Sequence, residues 1–216
     1  MLFKYSRRTH AFILGNKTIR WTVIHILRRT GKSSPEEAKA RRFAEVALPH
    51  LDAAYNLARW IVRNPQDAED MVQDAYLRAF KYLDGFRGEN GRAWLLTIVR
   101  NTCYTWLHQQ RGQALDTSFD EEAHSLDGHG SVTALDQSDS NPQAIMLREA
   151  DRRWIHRALE RLPLEFREIL VLREIEDLSY KEIAAIANIP LGTVMSRLAR
   201  GRKLLLECVR RMNEES

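Results

Sequence analysis

The stretch LSYKEIAAIANIPLGTVMSRLARGRKLL, residues 178–205, decides the fold class. Ser179-Tyr-Lys-Glu182 is a capping box, in which serine hydroxyl and glutamate carboxylate each satisfy a backbone N–H that a helix start leaves bare. It predicts a short helix through Ala187. Asn188-Ile189-Pro190 reads as a turn, and asparagine tolerates the left-handed backbone that such turns need. A longer helix is expected from about Leu191 to Met212. Ile183, Ala187, Ile189, Val194 and Leu198 fall where they can pack the two helices together, with small Ala184 at the crossing. This is a helix-turn-helix pattern, whose second helix can present an outer face to a DNA major groove. That face is predicted to be Leu191, Gly192, Met195, Ser196 and Ala199. Arg197, Arg200, Arg202 and Lys203 flank it and could neutralise phosphates. A plain helical hairpin with a solvated basic face is the competing reading. Capping box, small crossing residue, turn and charge coincide here, which favours DNA.

Working toward the N-terminus, Phe166, Ile169, Leu172 and Ile175 define a helical stripe, and Pro163 separates it from another: Leu147, Ala150, Trp154, Ala158 and Leu162. Residues 112–142 lose helical period. They carry seven acids (Asp116, Asp120, Glu121, Glu122, Asp127, Asp136, Asp139) and no Lys or Arg. This composition predicts a flexible acidic linker. Its His124 and His129 stand beside acids, where a metal site competes with the simpler reading of a solvated tether.

Residues 36–111 read as a second helical unit. Phe43, Val46, Ala47, Leu51, Ala54, Leu57, Ala58, Ile61 and Val62 recur at three-to-four spacing, and Pro49 should kink this run or start a new helix. Asn64-Pro65 is a cap with proline at the first helical position. The helix it opens carries Ala68, Met71, Val72, Ala75, Ala79 and Leu83 on one side. A glycine-rich loop, 84–91, precedes a third helix. That helix places Trp94, Leu95, Ile98, Val99, Thr102, Cys103 and Trp106 inward, and Thr97, Arg100, Asn101, Tyr104, His108 and Arg111 outward. No period-two run is long enough for a sheet. The expected class is therefore all-α, with two small helical domains.

Composition narrows the function classes. The chain has 216 residues with 44% hydrophobic and 29% charged, ordinary for a globular protein. No apolar run approaches the ~18 residues that a spanning helix needs. Two cysteines 105 positions apart, with no CxxC, exclude a zinc ribbon and make a disulfide scaffold improbable. There is no P-loop, no dinucleotide fingerprint and no HExxH, so neither cofactor nor metal is expected. Charge is segregated. Residues 1–32 hold eight Lys and Arg without an acid, and residues 189–212 hold six against Glu207. Such segregation suggests separate surfaces for separate partners. Residues 1–35 are expected to be a poorly ordered basic extension. A basic accessory arm or a targeting segment are the other readings, though Arg20 splits the apolar part and no cleavage site follows.

Two longer stretches carry a resemblance. LPLEFREILVLREIEDLSYKEIAAIANIPLGTVMSRLARGRKLL, residues 162–205, resembles region four of bacterial RNA polymerase sigma factors. DAEDMVQDAYLRAFKYLDGFRGENGRAWLLTIVRNTCYTWL, residues 67–107, resembles their region two. The order and the lack of further domains resemble the extracytoplasmic-function (ECF) group of the sigma-70 family. The resemblance implies domains at 36–111 (region two), 112–142 (linker) and 143–216 (region four). It implies a non-enzymatic promoter-recognition subunit in the cytoplasm, with no stable membrane insertion of its own and an anti-sigma factor that could hold it at the inner membrane. Its partners would be promoter DNA, that anti-sigma factor and core RNA polymerase, through the clamp of the largest subunit and the flap of the second-largest. A stand-alone helix-turn-helix regulator is the alternative function, which the 67–107 stretch argues against. A DNA-modifying enzyme is a third class, for which no metal cluster or nucleophile is present.

Carried onto residues, the resemblance gives three sites. Core polymerase would bind Asp67, Asp70, Gln73 and Asp74, within 67–80. An acid stripe suits a basic partner helix, although a helix N-terminus also favours acids through its dipole. Minus-ten DNA would meet Arg87, Asn90, Arg92, Arg100, Asn101 and Tyr104, a set of cations, amides and an aromatic fit for single strands. Trp94 and Trp106 are expected in the core. Minus-35 DNA would meet Ser179, Tyr180, Lys181, Thr193, Met195, Ser196, Arg197, Ala199, Arg200 and Lys203. Met195 stands where some relatives have arginine; it cannot fork onto guanine but can touch a thymine methyl. The acidic linker could mimic nucleic acid along the polymerase RNA path, or simply tether.

Overall fold

The structure, a computed structural model, describes residues 35–116 and 154–214, with side chains for 35–110 and 154–214. The basic segment, most of the acidic linker, and His124 and His129 lie outside the described residues.

The first unit has four helices: α1 (Pro35–Ala47), α2 (Leu51–Val62), α3 (Pro65–Tyr82) and α4 (Gly91–Asp116). Pro49 turns the expected kink into a single 3-10 turn, Leu48–His50, between α1 and α2. Asn64 caps α3 by accepting from the Gln66 N–H at 2.9 Å, and Pro65 takes the first helical position, where a missing donor costs nothing. Phe43 meets Tyr76 and Phe80 edge to face, with centroids 5.9 and 5.3 Å apart. The buried Tyr76 hydroxyl donates to the Ala47 carbonyl at 2.9 Å, tying α3 to the end of α1. At that same end α4 begins. A β-carbon on Gly91 would lie 2.7 Å from Val46 Cγ1 and 3.0 Å from the Val46 carbonyl oxygen, so only glycine permits this approach. α4 continues to Asp116, five residues past the point where the periodicity ends it.

The second unit holds α5 (154–161), α6 (Leu164–Leu170), α7 (Tyr180–Ala187) and α8 (Leu191–Glu214). The capping box forms: the Ser179 N–H donates to Glu182 Oε2 at 2.8 Å and Ser179 Oγ accepts from the Glu182 N–H. Asn188 takes the left-handed conformation, φ 52° and ψ 51°, and closes α7 onto Ala184. Gly201 seats α8 on α6, where a β-carbon would be 3.1 Å from Leu170 Cδ1. One expectation fails. Ile175 does not continue the stripe of Phe166, Ile169 and Leu172; it is 43% exposed. Val171–Ile175 winds as a π-helical turn, which adds a residue to the turn and rotates Ile175 outward and Glu176 inward.

One hydrophobic core runs through both units, from Phe43 to Leu198. α4 is the common wall. Its inner side packs on α2 and α3, and its outer side packs on α7, while α2 also meets α6. Leu96, off the predicted inward stripe, is fully buried. Among the described residues there is no strand. No described helix is long and apolar enough to cross a membrane.

Candidate nucleic-acid interface

On α8 the predicted outer face is open. Met195 is 52% exposed, and Ser196, Ala199, Arg200 and Lys203 are exposed beside it. This follows from the turn at Asn188, which sets Val194 and Leu198 against α7 and leaves the opposite side to solvent. The Ser196 hydroxyl donates to the Thr193 carbonyl at 3.0 Å, and Thr193 itself is half-buried. Arg197 leans sideways to Glu165, 3.4 Å away. Arg202 forks onto Glu174 Oε1 at 3.0 and 2.7 Å and so braces α8 against the π-helical turn. Ser179 is engaged in its capping box, Tyr180 lies under the Arg173 guanidinium at 5.3 Å, and Lys181 is exposed.

The outer side of α4 is open at Asn101 and His108, as the sequence reading has it, but not along its other edge. Arg92, Leu96, Arg100 and Tyr104 form one stripe at four-residue spacing, and the second unit covers it. Tyr104 donates its hydroxyl to Glu168 Oε2 at 2.6 Å, Arg100 Nε donates to Glu168 Oε1, and the Arg100 guanidinium sits 4.3 Å from the Tyr104 ring. Arg92 pairs with Glu176 at 2.6 Å, and Glu176 also accepts from Asn56 on α2 at 3.1 Å. Asn90 caps α4 through the Ala93 N–H at 2.9 Å and donates to Glu182 Oε1 at 2.8 Å. Burial, then the Glu168 charge, pushes the Tyr104 hydroxyl well above the ordinary phenol range. Bonds from Ser179, and smaller contributions from Asn90 and Arg92, hold the Glu182 carboxyl below its usual value. Arg87 and Asn101 remain exposed. Phe86 stacks on Trp94, centroids 4.6 Å apart, and Arg42 holds the Phe86 carbonyl at 2.5 Å, which fixes the loop before α4.

Three charged residues of this junction escaped the sequence reading: Arg167, Glu168 and Glu176. The Glu168 side chain is wholly buried. Arg167, 2% exposed, donates to the Glu160 and Leu162 carbonyls at 3.2 and 3.4 Å, while its Nε has no acceptor among the described residues. Burial first, then Arg63, holds its guanidinium down to about 10. The partners of Glu168 and Glu176 lie 64 to 120 positions away, so no local spacing announces them, and those of Arg167 are backbone carbonyls, which no side-chain pattern marks.

On α3, Asp70 is exposed and Asp67, Gln73 and Asp74 are half-buried. Asp74 pairs with Arg78 of the same helix at 2.9 Å. Partial burial and then the Asp70 charge raise the Asp67 and Glu69 carboxyls. Asp67, Glu69 and Asp70 thus form a patch of mutually repelling carboxylates at the start of α3, stabilised by any cation brought to it. Among the described residues no group of His, Cys, Asp or Glu is arranged to hold a metal ion.

Comparisons agree with this layout. Residues 47–113 match the family Sigma-70 region 2, and residues 152–205 match Sigma-70, region 4. The chain is similar to the ECF RNA polymerase sigma-E factor of Escherichia coli (strain K12): 38% identical over 141 residues, 64% of this chain and 72% of the relative. It is similar to the RNA polymerase sigma-H factor of Pseudomonas aeruginosa, 30% identical over 167 residues, 76% of this chain and 84% of that one. Among solved structures it resembles the sigma factor RpoE of Bartonella quintana, crystallised with the anti-sigma factor NepR. The TM-score is 0.60 at 28% identity, covering 79% of this chain and 98% of that chain. CnrH, in complex with the cytosolic domain of CnrY, shares the fold at a TM-score of 0.52 and 22% identity, over 88% and 96% of the two chains.

Proposed function

We propose a division of labour that starts from one premise: the chain belongs to the sigma-70 family of RNA polymerase sigma factors, in its extracytoplasmic-function group. It acts as an RNA polymerase sigma factor, joining core polymerase and directing it to promoters. The bond-making chemistry belongs to the polymerase, and this chain is no enzyme in our reading.

α3 is the docking helix. Asp67, Asp70, Gln73 and Asp74 offer an acidic patch to a basic element of the polymerase clamp, and crowding of like charge favours that partner. α4 and its preceding loop take the minus-ten single strand. Arg87, Asn90, Arg92, Arg100 and Asn101 supply donors for phosphate and base edges, and Tyr104 supplies a ring on which a base can stack. α8 reads the minus-35 duplex. Met195, Ser196 and Ala199 face base edges, Thr193 and Arg197 lie at the side, and Arg200 and Lys203 meet phosphates. Ser179, Tyr180 and Lys181 open α7 beside the backbone. The second unit also meets the polymerase flap. The Bartonella quintana relative, solved with an anti-sigma factor, supports a protein antagonist for this chain too. The site is the cytoplasm, where such an antagonist could hold the chain at the inner membrane.

One observation carries this reading: an exposed α8 face and an acidic α3 patch occur on one chain, in the two regions matched to the family. A stand-alone regulator has no use for the region containing α3 and α4. Run-off transcription with purified core polymerase tests it. Promoter-specific transcripts are expected only when the chain is added; duplex binding without transcripts would favour the stand-alone regulator.

A further inference from the structure

We propose that Arg59, Arg63 and Arg167, gathered where the last turn of α2 meets α5 and α6, form a binding site for a phosphate dianion, the group that a small phosphomonoester carries. The site uses none of the residues assigned to polymerase or promoter DNA, and the inference does not depend on those assignments.

The charge balance carries it. The salt bridges among the described residues leave out Arg59, Arg63 and Arg167 alike. Burial first, then Arg63 and Arg59, act against the charge of Arg167, and Glu160 is the one described carboxylate that favours it. Glu160 is shared. Its side chain lies 3.5 Å from His156 Nδ1, and it is its backbone carbonyl that accepts from Arg167 at 3.2 Å. Arg167 Nε is a buried donor without an acceptor among the described residues, which native interiors rarely leave so. Three guanidiniums thus share one carboxylate. An arginine fork fits carboxylate and phosphate alike, but one more carboxylate would offset only half of the excess. A phosphate monoester carries about 1.5 to 2 negative charges at neutral pH and offsets nearly all of it. A nucleic-acid backbone brings one charge per phosphate and fits less well.

The backbone is arranged around the same cations. Arg63 closes α2 in the left-handed conformation, φ 68° and ψ −23°, where glycine or asparagine would sit at less cost. Arg59 Nη1 donates to the Arg63 carbonyl, so one arginine holds the strained backbone that carries the other. Exposure falls inward: Arg63 is exposed, Arg59 half-buried and Arg167 buried. The first two can take phosphate oxygens from solvent. Arg167, in the low dielectric behind them, strengthens the pull. Arg59 and Arg63 belong to the first unit and Arg167 to the second, so a bound phosphate draws on both.

The test uses the full chain and inorganic phosphate in isothermal titration calorimetry, at ionic strength matched with chloride, with dimethyl phosphate as the singly charged probe. One saturable site is expected for phosphate, and weaker binding of dimethyl phosphate. Arg63→Gly removes the guanidinium and eases the left-handed backbone. It should weaken phosphate about tenfold or more, for loss of charge-assisted hydrogen bonds, while circular dichroism and the melt without phosphate show an intact fold. Arg59→Lys keeps the charge and loses the fork, and should weaken phosphate less than Arg63→Gly does. The absence of saturable binding, equal affinity for the two probes, or undiminished binding by Arg63→Gly overturns the site. Binding that emerges only when Asp120, Glu121, Glu122, Asp127, Asp136 and Asp139 are all changed to the matching amides would show that the chain's own acids satisfy the arginines, and overturns it too.

Discussion

Tyr104 and Glu168, 64 positions apart, share a 2.6 Å hydrogen bond that joins the two matched regions. Its donor and its acceptor belong to different tasks in our reading, so the pair can be taken apart. Tyr104→Phe removes the hydroxyl and keeps the ring. The junction should weaken by about 1.5–3 kcal/mol, the worth of a bond to a charged group. Promoter opening by holoenzyme should stay within about twofold, because stacking needs only the ring. Tyr104→Ala should lower opening about tenfold or more, for loss of a stack worth roughly 1–3 kcal/mol. Permanganate footprinting of the melted strand reads both. Equal loss in the two variants would remove the stacking role.

Reversing Asp70 and Asp74 to Lys should abolish co-purification with core polymerase. Stability should shift by only about 0.5 kcal/mol, since Asp70 is exposed and the Asp74–Arg78 pair is a half-exposed helix pair. Urea melts and pull-down together decide. Undiminished association would place docking elsewhere.

On α8, Met195→Arg should change which minus-35 sequences are used, by supplying a fork that favours guanine. Arg200→Ala should weaken all promoters alike and flatten the log-log salt dependence by about one unit. Initiation from a randomised minus-35 library, with binding measured across salt, separates reading from holding. The opposite assignment of effects would turn the helix around in its groove.

Gly91→Ala should destabilise the fold by about 1–3 kcal/mol, through the contact that its methyl would make with the Val46 side chain and carbonyl. The helix-propensity gain is small at a first helical position. Gly192→Ala, where a β-carbon meets nothing within 4 Å, is the matched control and should be near neutral. Chemical denaturation compares them.

His156 of α5 lies against Trp60 of α2, ring centroids 4.3 Å apart, with Glu160 at 3.5 Å. Burial lowers its basicity more than Glu160 restores it, and Arg59 lowers it further. The unfolded chain therefore takes up the proton first, near its ordinary value of 6.5. Stability is full above that pH and falls as pH drops below it, through the folded value. Thermal melts from about pH 8 to pH 5 should show this decline, and His156→Gln should flatten it. An unchanged pH slope in the variant would assign the decline to other groups, His50 first, which burial also makes less basic.

What sequence made legible was local. The capping box at Ser179, the left-handed turn at Asn188 and the exposure of Met195 all follow from residues within a few positions of each other, and the structure has them. The junction was not legible. Arg92, Arg100 and Tyr104 stand on a polar side of α4, and periodicity assigns a polar side to solvent. Their acceptors are 64 to 84 positions away. Ile175 was misplaced for a different reason: periodicity assumes a regular helix, and the π-helical turn shifts every residue after it. The uncharged inward stripes, by contrast, needed no partner to be recognised.

The four-residue stripe on α4 has a consequence for how such a chain can change over generations. In our reading its donors serve two rivals with the same atoms. A substitution that tightens their grip on a single strand also tightens their grip on Glu168 or Glu176, so gain and restraint arise together and largely cancel. Selection for new promoters is thereby steered off the stripe. Arg87 and Asn101, exposed and outside it, are free to vary one at a time. Arg92, Arg100 and Tyr104 change only in step with acids 64 to 84 positions away.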